Sequence, residues 1–121
     1  MIDPTRLERA LGEALSAEAL EDTPEGLACA LRYAVFPGGA RVRPRLLMAV
    51  AGANGDDQPA VTDAAGAAIE MLHCASLVHD DLPCFDGANL RRGKPSLHVA
   101  FGEPLAVLTG DALIVLAFQT L

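Results

Sequence analysis

Asp80, Asp81 and Asp86 stand close together in the stretch His73–Arg92, HCASLVHDDLPCFDGANLRR. Carboxylates gathered this way offer the hard oxygen ligands that suit Mg²⁺, in sites that share the ion with substrate phosphates. A helix advances about 100° per residue, so His73 and Asp80, seven positions apart, share one face, with Ser76 and Leu77 between them. A bend at Pro83 would bring Asp86 back toward Asp80. The expected result is a cluster of oxygen ligands at one point. Arg91 and Arg92 follow directly, and guanidinium forks match phosphate oxygens. The acidic cluster and the arginine pair together outline a metal–diphosphate site; either alone would say little.

A second basic point lies upstream. Arg41, Arg43 and Arg45 surround Pro44, just after Pro37-Gly38-Gly39. Glycines there let the backbone approach an anion, and the helix start that follows offers free N–H groups. Each feature also has a plainer reading. Two adjacent aspartates are commonly solvated surface. A lone His73 is commonly a satisfied buried histidine, and its shared face with Asp80 argues for the site. Arg41 and Arg45 read equally as surface charges or salt-bridge partners. His79-Asp80 could mimic the metal pair of a phosphohydrolase, but no second histidine cluster supports that. His98 reads as structural, Met71 and Leu72 as core, Cys74 and Cys84 as packing.

Helices must position these groups. Asp3-Pro4-Thr5 is a helix start, followed by Leu7, Ala10, Leu11, Ala14 and Leu15 at helical spacing. Thr23-Pro24-Glu25 repeats the signal, and Leu27, Ala30, Leu31, Ala34 and Val35 form a second amphipathic helix that Pro37-Gly38-Gly39 ends. A third, mostly apolar helix is predicted over 44–51 and reads as buried. GANGDDQP, residues 52–59, is a turn-rich loop. The spacing predicts a long helix over 60–79, a loop over 82–95, a short helix over 96–101, and a last helix from Gly102-Glu103-Pro104 to Leu121. Asp111, after Gly110, admits a capping role. The apolar, uncapped end at Ile114–Leu121 reads as a chain cut short.

Composition narrows the classes. Apolar residues make up 51% of 121 residues and aromatics 4%, with no tryptophan. That suits an aliphatic helical core, and alanine favours helices that approach closely. A net charge of −7 argues against a nucleic-acid partner. Three cysteines, Cys29, Cys74 and Cys84, fit a reducing, cytoplasmic setting. No apolar leader is visible at the N-terminus, and the apolar run 112–118 is too short to span a bilayer.

The ordered set GGARVRP, H-x-x-S-L-V-H-D-D-x-x-x-x-D, LRRGKPSLH and AVLTGDAL resembles the trans-isoprenyl diphosphate synthases over residues 27–121. DDLPCFD resembles the family's first aspartate-rich motif, in its version with four residues before the last Asp. The resemblance implies an all-α, isoprenoid-synthase-type antiparallel helical bundle around a central cavity, of which residues 1–121 are the N-terminal part. It implies Mg²⁺ on Asp80 and Asp86 with Asp81 in support, and an allylic diphosphate held by Arg91. Isopentenyl diphosphate is implied at Arg92, Arg43 and His73. Ala75, five before Asp80, resembles the chain-length gate; a small residue there leaves a deep cavity and suits geranylgeranyl diphosphate. Asp111 also matches a family position.

Two departures stand out. Ala40 occupies the place of the family's usual Lys, as in the GGAR version of carotenoid-pathway synthases. The family's second aspartate-rich motif lies beyond Leu121, so the 121-residue chain alone is expected to be inactive. Ala40 and the short chain also motivate the alternative of a non-catalytic subunit that tunes a synthase. Apolar helices without partners point to a homodimer or to further helices.

Overall fold

The computed structural model describes residues 3–121. Six helices carry it: α1 (Pro4–Ala14), α2 (Glu25–Val35), α3 (Val42–Ala53), α4 (Pro59–Asp80), α5 (Leu97–Phe101) and α6 (Glu103–Thr120). The all-α expectation holds, with one addition. The predicted loop over 82–95 contains a minimal antiparallel hairpin, β1 (Leu90–Arg91) and β2 (Lys94–Pro95), with Leu90 opposite Pro95.

Local chemistry sets the boundaries. At α1 the Asp3 carboxylate accepts the Thr5 backbone N–H at 2.9 Å and Pro4 occupies the first turn. Asp3→Ala leaves that N–H without its cap, and the melting midpoint is expected to fall by roughly 4 °C or less, read by thermal unfolding. At α2 the cap position is Pro24 and no side chain caps the helix, so Thr23 does not serve as expected. The turn Arg92-Gly93 between β1 and β2 has positive φ at both residues, 51° and 79°, the form that suits a two-residue hairpin.

α4 is the central helix. Ala67, Met71, Cys74 and Ala75 face Leu7, Leu11 and Leu15 of the α1 region, Leu31 and Val35 of α2, and Leu113 and Ala117 of α6, all buried in one aliphatic core. The largest interface joins α4 to α6. Both helices are long and apolar enough to cross a membrane by length and composition. Core helices of globular proteins meet the same measure, and α4 is the central helix of this core, so the measure does not overturn the expectation drawn from 112–118.

α3 departs from expectation. Pro44 and Met48 are buried, while Val42, Leu46 and Val50 are 62%, 64% and 56% exposed. Its apolar residues lie around most of the helix, and α4 covers only one side. α6 likewise exposes Leu108, Val115 and Phe118. Asp111 lies within α6 rather than at its start, so it caps nothing.

Candidate functional site

α4 ends at Asp80, with Asp81 as its C-cap. Beyond it the chain folds back: the Phe85 N–H donates to the Leu82 carbonyl at 2.9 Å, and the Gly87 N–H to the same carbonyl at 3.0 Å. The Asp86 N–H then donates to the Asp80 carbonyl at 2.9 Å. This is the return that Pro83 was expected to produce. The Asp80 and Asp86 carboxylates meet side by side. The shared hydrogen bond with Asp86, then its charge, hold the Asp80 carboxyl above the usual carboxylate range. Both residues are exposed, and neither forms an ion pair among the described residues.

Two like charges held together with no direct ion pair are a suitable seat for a divalent ion. Among the described residues no group of three or more His, Cys, Asp or Glu could hold a metal unaided. Two carboxylates are hard oxygen donors that leave most coordination positions to other oxygens, so a hard divalent cation such as Mg²⁺ would be held here by Asp80 and Asp86 jointly with a ligand.

Asp81 does not join them, and the expected cluster of three is corrected to a pair. The next residue on a helix turns by about 100°, which swings Asp81 inward. Its side chain is 4% exposed and accepts both Arg91 Nε and Arg91 Nη2 at 2.7 Å. That bidentate bond raises the Arg91 guanidinium above its ordinary value. Arg91 is thereby held rigidly at the base of the hairpin, five residues along the chain from Asp86.

The second basic point assembles across three elements. Arg43 Nη1 lies 3.4 Å from His73 Nε2. Burial, then the Arg43 charge, hold the His73 imidazole below its usual range. Arg92 lies along the Gly38-Gly39 turn, where a Cβ on Gly39 would stand 2.8 Å from Arg92 Nε. Arg43 and Arg92 are exposed and His73 half-buried. Arg45 is exposed, and Ala75 is buried in the α4 core at 1%. Burial pushes the Cys74 thiol up to about 11, as packing requires, but Cys84 is exposed and its packing role is corrected.

Two participants escaped sequence reasoning, and for a third the structure decides between the two readings left open. Arg41 is 6% exposed and is the salt-bridge partner, not the surface charge, bonded to Glu8, Glu70 and the Val35 carbonyl. Lys94 Nζ donates to the carbonyls of Tyr33 at 3.0 Å and Phe36 at 2.8 Å, and sits over the Tyr33 ring. His79 packs on Gly110, where a Cβ would run into its ring, and lies 3.5 Å from Asp111. The signals available were Gly38 and Gly39 before Arg41, and Gly110 opposite His79. Small residues there admit large side chains.

A model of the family described as polyprenyl synthetase matches residues 24–121. The chain is 65% identical to a geranylgeranyl diphosphate synthase of Rhodobacter capsulatus, over 96% of this chain and 40% of that protein. It is 60% identical to a geranylgeranyl diphosphate synthase of Cereibacter sphaeroides over the same shares. Among solved structures, a geranyltransferase from Legionella pneumophila superposes with a TM-score of 0.85 at 43% identity, over 96% of this chain and 39% of that one. The chain spans about two fifths of the length of the curated relatives it matches.

Proposed function

This chain belongs to the polyprenyl synthetase family, and from that membership we propose that it carries part of the site of a head-to-tail prenyltransferase. The reaction joins isopentenyl diphosphate to an allylic diphosphate. In the full-length protein the product is geranylgeranyl diphosphate, a reading supported by the names of the bacterial relatives. Such a product serves pigment synthesis of the carotenoid type.

The observation that carries this reading is the Asp80–Asp86 carboxylate pair, in no ion pair among the described residues and one short loop from Arg91. Mg²⁺ bound there would draw electron density from the allylic diphosphate and make it a leaving group. Asp80 and Asp86 orient that end, and Arg91, braced by Asp81, offers Nη1 to its phosphate oxygens. Arg43, Arg92 and His73 take the isopentenyl diphosphate. Its C–O bond is not allylic, so no stabilised cation would form there and the diphosphate stays attached. The isopentenyl double bond attacks the allylic carbon, diphosphate departs, and a proton leaves the new chain. Apolar helix faces keep water from the cation.

The reading extends to a homodimer in the cytoplasm. The exposed apolar residues of α3 and α6 support a covering partner, and free Cys29, Cys74 and Cys84 suit a reducing compartment.

The test incubates the full-length protein with isopentenyl diphosphate, allylic primers of increasing length and Mg²⁺, with products identified by mass spectrometry. A C20 diphosphate is expected; absence of chain extension with every primer rejects the reading. A second measurement addresses His73. Its depressed pKa means that the folded protein binds this proton less readily than the unfolded chain. Stability is therefore expected to fall as pH drops through about 6.5. A bound diphosphate near Arg43 reverses the local field. The His73 resonance is expected to titrate at higher pH with isopentenyl diphosphate than without, as followed by NMR.

A further inference from the structure

Arg41 lies between the site's segments without belonging to either ligand set. Its backbone is left-handed, with φ 54°, an uncommon conformation for a non-glycine residue. Its guanidinium donates to Glu70 Oε2 of α4 at 2.7 Å and to Glu8 Oε1 of α1 at 2.9 Å. Nη2 also reaches the carbonyls of Val35 at 2.9 Å and Pro37 at 3.4 Å, at the end of α2. Gly38, with φ 78°, has room for no side chain, because a Cβ there would strike this guanidinium. A buried cation thus ties the Gly38-Gly39 turn to α1, α2 and α4 together.

That turn meets the proposed isopentenyl-binding side chains on both sides. Arg43 follows two residues later and reaches His73, which lies one turn beyond Glu70 on α4. Arg92 lies against Gly39. Lys94, two residues on, donates to the Tyr33 and Phe36 carbonyls of the same α2 end. The C-terminal end of α2 therefore receives two cations, one from each basic segment. Cations are favoured at that end of a helix dipole, and their fixed hydrogen bonds hold the two segments in register.

We infer that Arg41, clamped by Glu70 and Glu8, is a positioning residue that sets the spacing of Arg43, His73 and Arg92 for the metal-free diphosphate. The inference rests on the proposed function for the identity of that ligand. Arg41 touches no substrate; it acts through the turn. Lysine would keep the charge but cannot span Glu70, Glu8 and the α2 carbonyls at once.

The experiment measures binding of isopentenyl diphosphate without metal by calorimetry, and turnover with Mg²⁺, in the full-length protein. In Arg41→Lys, affinity and KM for isopentenyl diphosphate are expected to worsen about tenfold, with KM for the allylic primer and kcat changed less than twofold. Glu8→Gln alters the half-exposed side of the clamp, leaves the Glu70 contact, and keeps the test open if Arg41→Lys fails to fold; about threefold is expected. Unchanged isopentenyl affinity in the folded variants overturns the inference, as does equal weakening of both substrates. A parent protein that binds isopentenyl diphosphate tightly without turning it over rejects the prenyltransferase reading alone. One that does not bind it overturns this inference as well.

Discussion

Asp80→Ala in the full-length protein is expected to reduce product formation by about three orders of magnitude or more. Stabilisation of a departing diphosphate by a divalent ion is worth several kcal/mol, and each 1.36 kcal/mol is tenfold in rate, so losing about 4 kcal/mol gives roughly 10³. Asp86→Ala should behave alike, because the two carboxylates act as one seat. Glu18, exposed and distant in sequence, serves as the control, and its alanine variant should keep parental turnover. Asp80→Asn separates the metal role from a folding role. It removes a carboxylate held above its usual range by its neighbour, so without metal its melting midpoint should equal or exceed that of the parent. Carboxylates with raised pKa favour folding at pH below the unfolded value and oppose it as pH rises through the folded one. The parent should gain thermal stability with Mg²⁺ and a diphosphate, and Asp80→Asn should not. Parental rates in Asp80→Ala would remove the carboxylate pair from the mechanism.

What was legible in the sequence was what local rules decide. The bounds of α4 differ by one residue at each end from those expected, because Pro59 and the Pro83 turn punctuate a run of good helix formers. The return of Asp86 to Asp80 was readable from Pro83, and Arg43 with His73 from the resemblance. What failed depended on partners. α3 reads as buried because its residues are apolar, but burial is set by what packs on each face, and α4 packs on one. Arg41 reads as one of three similar arginines in RVRPR, but its left-handed backbone alone turns it inward, and only Glu70 and Glu8, 29 and 33 residues away, give it charge partners. Asp111 follows a glycine that looked like a helix start, yet Gly110 is small to admit the His79 ring within a continuous helix. Such tertiary reasons leave no periodic trace.

Asp81→Ala is expected to destabilise the protein by about 3 kcal/mol, within the 3–5 kcal/mol typical of breaking a buried ion pair by removing one partner. The carboxylate is 4% exposed and takes two guanidinium N–H groups at 2.7 Å, while Arg91 is 32% exposed and can recover part of its hydration, which favours the lower end. Arg91→Met alone strands the Asp81 carboxylate in a drier place, so it should be at least as damaging. The double variant should lose less than the sum, because neither charge is then left buried alone; an additive result in chemical denaturation would show that the pair is not coupled. The functional readout differs from that of Asp80. Asp81 does not face the Asp86 carboxylate, so Asp81→Asn, with one acceptor oxygen retained, should bind Mg²⁺ and diphosphate but hold Arg91 loosely. KM for the allylic substrate should then rise about tenfold, with KM for isopentenyl diphosphate unchanged. A loss of metal-dependent stabilisation in Asp81→Asn as complete as in Asp80→Asn would mean that Asp81 swings out to ligate the ion, and would return the site to three carboxylates.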